Sequence, residues 1–281
     1  METVWSGRTR ILDMRTIAHI SDLHFGRIRE DAEESLLADL RAMKPSLIAV
    51  SGDLTQRALR REFKHAREYL EQLPAPFIVV PGNHDIPFFD VTRRLLLPLH
   101  RYKNYISKQL NPLYADNEIA VVGMNSAYPL TFVNGKINGR QMKQVEKIFR
   151  GLPDLSLRIV VTHHPFCKNP DIQHREIIRG AKKTLQKLEG CGVDLILTGH
   201  YHRVYAEDLR KVHTDLDRSI LHIQAGTAIS TRTANEPNSY NFLTIDHDRL
   251  TVEVRTWEGR GFTVTETLRY RRTKKGWQKT K

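Results

Sequence analysis

The sequence predicts an α/β fold, built as one domain with two packed sheets and helices outside them. Strand-like apolar runs alternate with helix-like segments over residues 16–80, which is typical of a layered α/β core. Helix signals disappear after residue 203, where short strand-like segments follow one another. Neither an internal repeat nor a low-complexity linker divides the 281 residues, which suffice to bury a sizeable core.

The first half of the chain alternates between the two kinds of element. The predicted strands are residues 16–20, 47–50 and 77–80, and the predicted helices are residues 31–43 and 58–73. In the first helix, Leu36, Leu37, Leu40 and Met43 recur at helical spacing. The second helix has a strongly basic outer face.

A helical insertion is predicted at about residues 88–115. It contains Pro98, which predicts a kink or two short helices. Its apolar side chains are interpreted as buried core, with a lipid-binding surface as the alternative. These side chains are Phe88, Phe89, Leu95, Leu96, Leu97 and Leu99.

The second half continues the alternation and then changes character. Strands are predicted at residues 118–122, 157–161 and 193–197, and helices at about 139–150 and 176–188. Short strands at about 203–208, 219–224, 241–246, 250–257 and 262–267 are expected to form a second, more antiparallel sheet.

Composition limits the class of protein. Hydrophobic residues make up 40% and charged residues 27%, as in ordinary globular proteins, and no apolar run reaches the length of a transmembrane helix. The N-terminus lacks the basic residues followed by an apolar run that are typical of a signal peptide. Met14 could be the true start, which would make residues 1–13 an extension. Two cysteines, Cys167 and Cys191, do not form a disulfide framework, so a cytoplasmic location is expected.

The net charge of +12 is concentrated at the C-terminus. Residues 269–281 carry seven basic residues and no acidic one, and we interpret them as a solvated, partly disordered basic tail following a domain at 14–268. The alternative is electrostatic contact with nucleic acid or an anionic membrane. The rest of the chain is also positive, which suits a small anionic substrate.

Polar side chains follow five predicted strands, at the point where each strand ends. Each of these groups costs free energy to bury without a partner, and the carboxyl end of strands in an open α/β sheet is where ligands bind. The residues are Asp22, His24, Asp53, Asn83, His84, Asp85, His163, His164, His200 and His202.

The types and spacing of these residues indicate a metal site. In Asp22–His24 and in His200–His202, the i, i+2 spacing places both side chains on one side of an extended segment. Mixed imidazole and carboxylate ligands suit Zn, Mn or Fe, and enough are present for two ions. A carboxylate can bridge two ions held ~3.5–4 Å apart, an arrangement used on phosphate esters.

The order Asp22-Leu23-His24, Gly52-Asp53, Gly82-Asn83-His84-Asp85, His163-His164 and Gly199-His200-Tyr201-His202 resembles the calcineurin-like metallophosphoesterase superfamily. The match spans residues 17–202, and within the superfamily it is most similar to the bacterial cyclic-nucleotide and glycerophosphodiester phosphodiesterase branch. The resemblance implies a four-layer α-β-β-α sandwich of two mixed sheets with flanking helices.

The resemblance also implies roles for individual residues. Asp22, His24 and His202 would bind one divalent or trivalent ion, Asn83, His163 and His200 a second, and Asp53 would bridge them. A bridging hydroxide would be the nucleophile. His84 would stabilise the transition state or protonate the leaving oxygen, and Asp85 would orient His84. Gln56 departs from the pattern, because many relatives have an acidic residue there.

Four other residues near the motifs are also considered for a role at the site. His164 is interpreted as supporting a ligand or packing beside Pro165. Three arginines, Arg27, Arg203 and Arg232, are candidates for contact with a substrate phosphate.

The leading functional hypothesis is a metal-dependent phosphodiesterase for a small phosphodiester such as a cyclic nucleotide. Hydrolysis of a nucleotide-linked lipid pyrophosphate such as UDP-diacylglucosamine is an alternative, and a nuclease is a third enzyme class, favoured by the basic tail. A non-catalytic, metal-binding interaction scaffold is the alternative outside enzymology, which the complete set of motif residues disfavours.

Overall fold

Two sheets pack face to face in the computed structural model, which describes residues 14–152, 157–170, 177–233, 235–274 and 276–280. Over this part of the chain the first sheet has seven strands. Their spatial order is β13 (Gly276–Thr280), β12 (Phe262–Thr273), β11 (Arg249–Trp257), β10 (Ser239–Asp246), β1 (Arg15–Ile20), β2 (Leu47–Val50) and β3 (Phe77–Val79). Strands β1, β2 and β3 are parallel, and the other neighbours pair antiparallel.

The second sheet has six strands in the same described ranges. Their spatial order is β4 (Leu113–Ala115), β5 (Ile119–Gly123), β6 (Leu157–Val161), β7 (Leu195–Thr198), β9 (Leu221–Gln224) and β8 (Tyr205–Asp208). The four central strands are parallel, and each edge strand runs antiparallel to its neighbour.

Helices cover the outer faces of both sheets. They are α1 (Glu30–Met43), α2 (Arg60–Leu70), α3 (Val91–Leu96), α4 (His100–Tyr105), α5 (Gly139–Arg150), α6 (Ala181–Gly190) and α7 (Leu209–Val212). Side chains of α1, α2 and α4 form an apolar cluster with the first sheet, and those of α5, α6 and α7 form another with the second. No helix in the described ranges is long and apolar enough to span a membrane.

A third apolar cluster lies between the sheets and fixes the four layers. On β1, Ile17 faces this inner cluster while Ala18 and Ile20 face the helices, as the alternation of side chains along a strand requires. Ile159 and Leu195 meet the inner cluster from the second sheet. The predicted four-layer α-β-β-α sandwich of two mixed sheets is confirmed.

Most element predictions agree with the structure, including the two short helices α3 and α4 on either side of Pro98. The short elements β4 and α7 were not predicted, and α2 is shorter than residues 58–73. The proposed extension at residues 1–13 and the predicted start of α6 at residue 176 lie outside the described residues.

The prediction that the strands after residue 203 form their own sheet is wrong. Strands β10 to β13 extend the first sheet, with β10 antiparallel to β1, while β8 and β9 join the second sheet beside β7. Strand β10 is buried on both faces along most of its length, as a central strand of a covered sheet must be.

The prediction of a solvated tail at residues 269–281 is wrong for the described residues 269–274 and 276–280. Residues 269–273 complete β12, and β13 pairs with it in an antiparallel ladder. Tyr270 and Trp277 are buried in the inner cluster, whereas Arg269 and Lys279 are exposed. The basic residues therefore alternate with apolar ones that anchor the strands, and Trp277 Nε1 also donates a hydrogen bond to the Asp194 carbonyl.

The apolar insertion is more exposed than predicted. Phe88, Phe89, Leu95, Leu96 and Leu97 are each about half exposed or more, and of the predicted core side chains only Leu99 is buried.

Candidate metal centre

The ten polar residues predicted from the sequence come together at one edge of the sandwich. They follow the carboxyl ends of β1, β2 and β3 in one sheet and of β6 and β7 in the other. Parallel strands end at a common edge, so residues far apart in the sequence meet there. Asn83, His84 and Asp85 form a short 3-10 turn immediately after the segment that leaves β3.

The backbone of this edge is strained. Asp22, His24, Asp53, His200 and His202 all have φ between 48° and 80°, in the left-handed region that non-glycine residues seldom occupy. Such conformations persist when the surroundings enforce them, and they concentrate at functional sites.

Two glycines allow the loops to approach each other closely. A Cβ on Gly82 would overlap the side chain and the backbone nitrogen of Asp53, and a Cβ on Gly199 would overlap the Ser21 hydroxyl. Neither position can therefore carry a side chain unless the loops move apart.

One group of ligand atoms comprises Asp22, His24, Asp53 and His202, and all four atoms lie within 4.8 Å of one another. His24 Nε2 lies 3.7 Å from a carboxylate oxygen of Asp22 and the same distance from one of Asp53. His202 Nε2 lies 3.4 Å from Asp22 Oδ1. All four residues are almost completely buried.

A second group lies beside the first. His163, His164 and His200 place ring nitrogens within 4.8 Å of one another. Asn83 extends this group, since its Oδ1 lies 3.1 Å from His163 Nε2. His200 Nδ1 lies 3.2 Å from the same nitrogen.

Asp53 joins the two groups. Its Oδ2 lies 3.7 Å from His24 Nε2 in the first group and 3.3 Å from His163 Nε2 in the second. Its Oδ1 accepts a hydrogen bond from the backbone N–H of His84. One oxygen of this carboxylate therefore faces both groups, while the other is fixed by the backbone N–H of His84.

Hydrogen bonds to carbonyl groups fix the imidazole tautomers. His163 Nδ1 lies 2.9 Å from the Ser51 carbonyl, and His202 Nδ1 contacts the Arg232 carbonyl. Since a carbonyl oxygen can only accept, each Nδ1 is the protonated nitrogen. In each ring Nε2 is then the nitrogen directed at the cluster, and it can bind a metal ion when it carries no proton.

His84 stands at the outer side of the cluster and is oriented by a backbone group. Its Nδ1 donates to the Gln56 carbonyl at 2.8 Å, and its Nε2 lies 2.9 Å from Arg232 Nη1. Its ring packs edge-on against His24, with 4.9 Å between the ring centroids.

In the described part of the chain no hydrogen bond joins the Asp85 carboxylate to the His84 ring, and a role of Asp85 in orienting His84 stays a prediction. The Asp85 carboxylate accepts hydrogen bonds from the N–H groups of Leu54, Thr55 and Gly82 and from the Thr55 hydroxyl. It joins the loop after β2 to the loop after β3. The orienting group for His84 is the carbonyl of Gln56.

Comparison with known proteins agrees with this arrangement. The family model described as calcineurin-like phosphoesterase matches residues 15–204, which include every residue of both groups. The chain belongs to this family. It is accordingly a metal-dependent phosphoric ester hydrolase.

Relatives of this phosphoesterase carry phosphodiesterase names. A probable cyclic nucleotide phosphodiesterase of Synechococcus is 24% identical over 205 residues, 68% of this chain and 75% of the relative. A probable glycerophosphodiester phosphodiesterase of Arcobacter nitrofigilis is 29% identical over 172 residues, 57% of this chain and 58% of the relative.

Solved structures share the fold of this phosphoesterase at low sequence identity. PhoD superposes with a TM-score of 0.70 at 11% identity, covering 95% of this chain and 72% of PhoD. A dimetal phosphatase from Danio rerio gives 0.64 at 13% identity, covering 91% and 98% of the two chains.

The charge distribution of the phosphoesterase site favours cations. Burial alone would raise the pKa of Asp53, but His163, His84 and His24 hold it well below its usual range. Burial lowers the pKa of His24 to about 4 and that of His200 to about 3, so both imidazoles are neutral at pH 7. His163 differs, because the Asp53 carboxylate outweighs burial and raises its pKa to about 9.

The donor set fits a pair of metal ions. Asp22 Oδ1 is buried and accepts no hydrogen bond from the described residues, although it faces His202 Nε2. A buried carboxylate oxygen without a donor is costly in free energy, and a cation removes that cost. The two adjacent groups, sharing Asp53, suit a dinuclear metal site.

Above the two groups lies a pocket of about 230 Å³. It is lined by Asp53, Gln56, Asn83, His84, Phe88, Phe132, Val133, His200, His202 and Arg232. Of the three arginines considered from the sequence, Arg232 lines the pocket, whereas Arg27 and Arg203 do not.

The backbone role of Gln56 had no sequence signal, because any residue supplies a carbonyl. His164 is a member of the second group, and its Nδ1 shares a hydrogen bond with Ser126 Oγ.

Proposed function

We propose that the protein hydrolyses a small phosphodiester, such as a cyclic nucleotide, with two metal ions. The observation that carries this proposal is the position of Asp53 Oδ2, which faces imidazole nitrogens of both ligand groups. The phosphodiesterase names of the relatives support the substrate class. A pocket of about 230 Å³ is at the small end for ligand sites, which favours a compact substrate.

The proposed ligands follow the two groups. Asp22, His24, Asp53 and His202 would hold one ion, and Asn83, Asp53, His163 and His200 the other. This mixture of nitrogen and oxygen donors suits Mn, Fe or Zn. When bound, such ions polarise phosphoryl oxygens and lower the pKa of water, which supplies a nucleophile at neutral pH.

His84 and Arg232 would act directly on the substrate. Because Nδ1 of His84 donates to the Gln56 carbonyl, its Nε2 faces the pocket, where it accepts from Arg232 Nη1. As the acid, Nε2 would take up a proton and pass it to the leaving oxygen while the arginine turns to the substrate. The Arg232 guanidinium lies next to that nitrogen and can donate to a phosphoryl oxygen. The two groups thus stand next to each other at the pocket.

A second candidate substrate is a nucleotide-linked lipid pyrophosphate such as UDP-diacylglucosamine. The observation that favours it is the exposed apolar character of Phe88, Phe132 and Val133, which line the pocket entrance. A non-catalytic scaffold is disfavoured, because a scaffold has no need of His84 and Arg232 beside a complete ligand set.

A substrate panel tests the proposal. Metal-loaded protein is incubated with 3′,5′-cyclic AMP, a glycerophosphodiester and UDP-diacylglucosamine, and the products are separated by chromatography. We expect cleavage of at least one of the two small diesters, abolished by a chelator. Cleavage of UDP-diacylglucosamine alone would overturn the small-diester proposal in favour of the second candidate.

A further inference from the structure

An exposed apolar surface adjoins the metal centre, since two of its aromatic residues, Phe88 and Phe132, line the pocket there. We call Phe88, Phe89, Leu96, Leu130 and Phe132 the apolar rim. Their side chains are between 52% and 76% exposed among the described residues. The rings of Phe88 and Phe89 lie 5.0 Å apart, and those of Phe88 and Phe132 lie 5.1 Å apart, so the aromatic part is continuous.

The apolar rim is held in place from beneath by a buried arginine. Arg94 donates hydrogen bonds to the carbonyls of Pro87, Pro129 and Thr131, and its guanidinium lies 4.1 Å from the centre of the Phe132 ring. The two segments that carry the rim are thus fixed to each other. A large apolar patch that is exposed on a protein surface marks a site of interaction with another protein or with a membrane.

Positive charge borders the apolar rim. Residues 86–115 contain five Lys or Arg residues (Arg93, Arg94, Arg101, Lys103 and Lys108) and a single acidic residue, Asp90. Asp90 pairs with Arg93 and caps α3. Since Arg94 is buried beneath the rim, four basic side chains and Asp90 remain in this segment, a net charge of +3 outside the buried arginine.

The arginines also converge on one cavity. A cavity of about 270 Å³ is lined by Arg60, Arg93 and Arg101 together with Leu97 and His100. Burial, and then the positive charges of Arg93 and Arg60, lower the pKa of Arg101. The guanidinium groups therefore repel one another, and an anionic group between them would relieve that repulsion.

We propose that the apolar rim and this arginine cavity dock the protein on an anionic phospholipid bilayer, with the entrance to the metal centre facing the lipid. Apolar side chains flanked by basic ones are the combination that binds anionic membrane interfaces. A protein partner would have to supply both an apolar surface and several carboxylates, whereas a bilayer supplies apolar chains and anionic phosphates together. The proposal does not depend on the substrate proposed above.

Vesicle flotation of the full chain tests this docking. The vesicles are phosphatidylcholine alone, or phosphatidylcholine with an equal amount of phosphatidylglycerol. We expect binding to the anionic vesicles and a decrease as salt is raised. F89S/L96S should weaken binding at least about tenfold, because two exposed apolar side chains no longer enter the interface. R60Q/R93Q should weaken it by about fivefold for each charge removed.

A control variant replaces two other exposed apolar residues, which lie elsewhere on the surface. V212S/V264S changes side chains on α7 and β12 that are 48% and 44% exposed, and it should bind vesicles like the unaltered protein. Equal binding by F89S/L96S, or none by the unaltered protein at low salt, would overturn the proposal. If sedimentation velocity shows a dimer that becomes a monomer in F89S/L96S, the apolar rim would instead bind a second copy of the protein.

Turnover of bis(p-nitrophenyl) phosphate separates docking from catalysis. Phe89 and Leu96 lie outside the pocket lining, so F89S/L96S should hydrolyse this soluble diester at an unchanged rate. Loss of soluble turnover in this variant would show disruption of the site itself and would contradict a role confined to docking.

Discussion

Arg232 Nη1 lies 2.9 Å from His84 Nε2, although 148 residues separate the two in the chain. The same arginine uses its backbone carbonyl to accept from His202 Nδ1. One residue thus fixes the tautomer of a proposed ligand and places a cation beside the proposed acid. The segment that follows β9 therefore belongs to the site as much as the five motifs do.

Arg232→Gln should lower kcat/KM for a diester by about 10²–10³-fold, because a donor to the developing phosphoryl charge is lost. Metal content should stay unchanged, since the backbone carbonyl that supports His202 remains. Steady-state kinetics and metal analysis measure the two properties. Arg27→Gln is the matched control, because Arg27 is exposed and does not line the pocket. Equal rates for both variants would remove Arg232 from the reaction.

His84→Ala should keep its metal and lose about 10²–10⁴-fold in turnover, the usual contribution of a general acid. The loss should be larger for a substrate with a poor leaving group than for a p-nitrophenyl ester, since only a poor leaving group requires the proton. Comparing the two substrates measures this difference. An identical loss on both would contradict proton donation by His84.

Metal affinity should rise with pH through the proton on His163. The Asp53 carboxylate overcomes burial and raises the His163 pKa to about 9, so the metal-free protein holds this proton at pH 7. A metal ion must displace it, and apparent affinity should increase by about tenfold per pH unit up to about pH 9. Competition with a chromophoric chelator measures the affinity. A flat profile over that range would contradict the raised pKa.

Trp277→Ala should destabilise the protein by about 3–5 kcal/mol, the usual cost of removing a buried large aromatic side chain. Urea unfolding followed by fluorescence or circular dichroism gives the free energy of unfolding. Lys279→Ala, two residues further along β13 and exposed, is the control and should have almost no effect. Equal stability of both variants would mean that β13 adds little to the first sheet.

The sequence was sufficient to predict the four layers and to select ten residues that the structure brings together. This worked because each motif follows a buried strand, and parallel strands place their carboxyl ends at one edge. It could not predict that the Gln56 carbonyl orients His84, since a backbone group has no residue-type signal. Metal binding by the predicted ligands stays a prediction; these are Asp22, His24, Asp53, Asn83, His163, His200 and His202.

Other predictions differed from the structure because the local residue pattern does not show which part of the protein a side chain packs against. Alternation in residues 268–277 was hidden by the many basic residues, although Tyr270 and Trp277 face the inner cluster. The exposure of Phe89 and Leu96 was not predicted, because apolar residues at helical spacing have the same sequence pattern as residues of a buried core. Periodicity indicates an apolar face without showing what covers it.

Hydrolysis of bis(p-nitrophenyl) phosphate beside p-nitrophenyl phosphate is the most direct test of metal-dependent diester hydrolysis. The measurement uses Mn-loaded protein, the same protein with a chelator, and Asp53→Asn, which removes the carboxylate shared by both ligand groups. We predict faster turnover of the diester, lost with the chelator and in Asp53→Asn, together with loss of bound metal in that variant. Preference for the monoester, or an Asp53→Asn variant that keeps two tightly bound ions and full activity, would contradict the account.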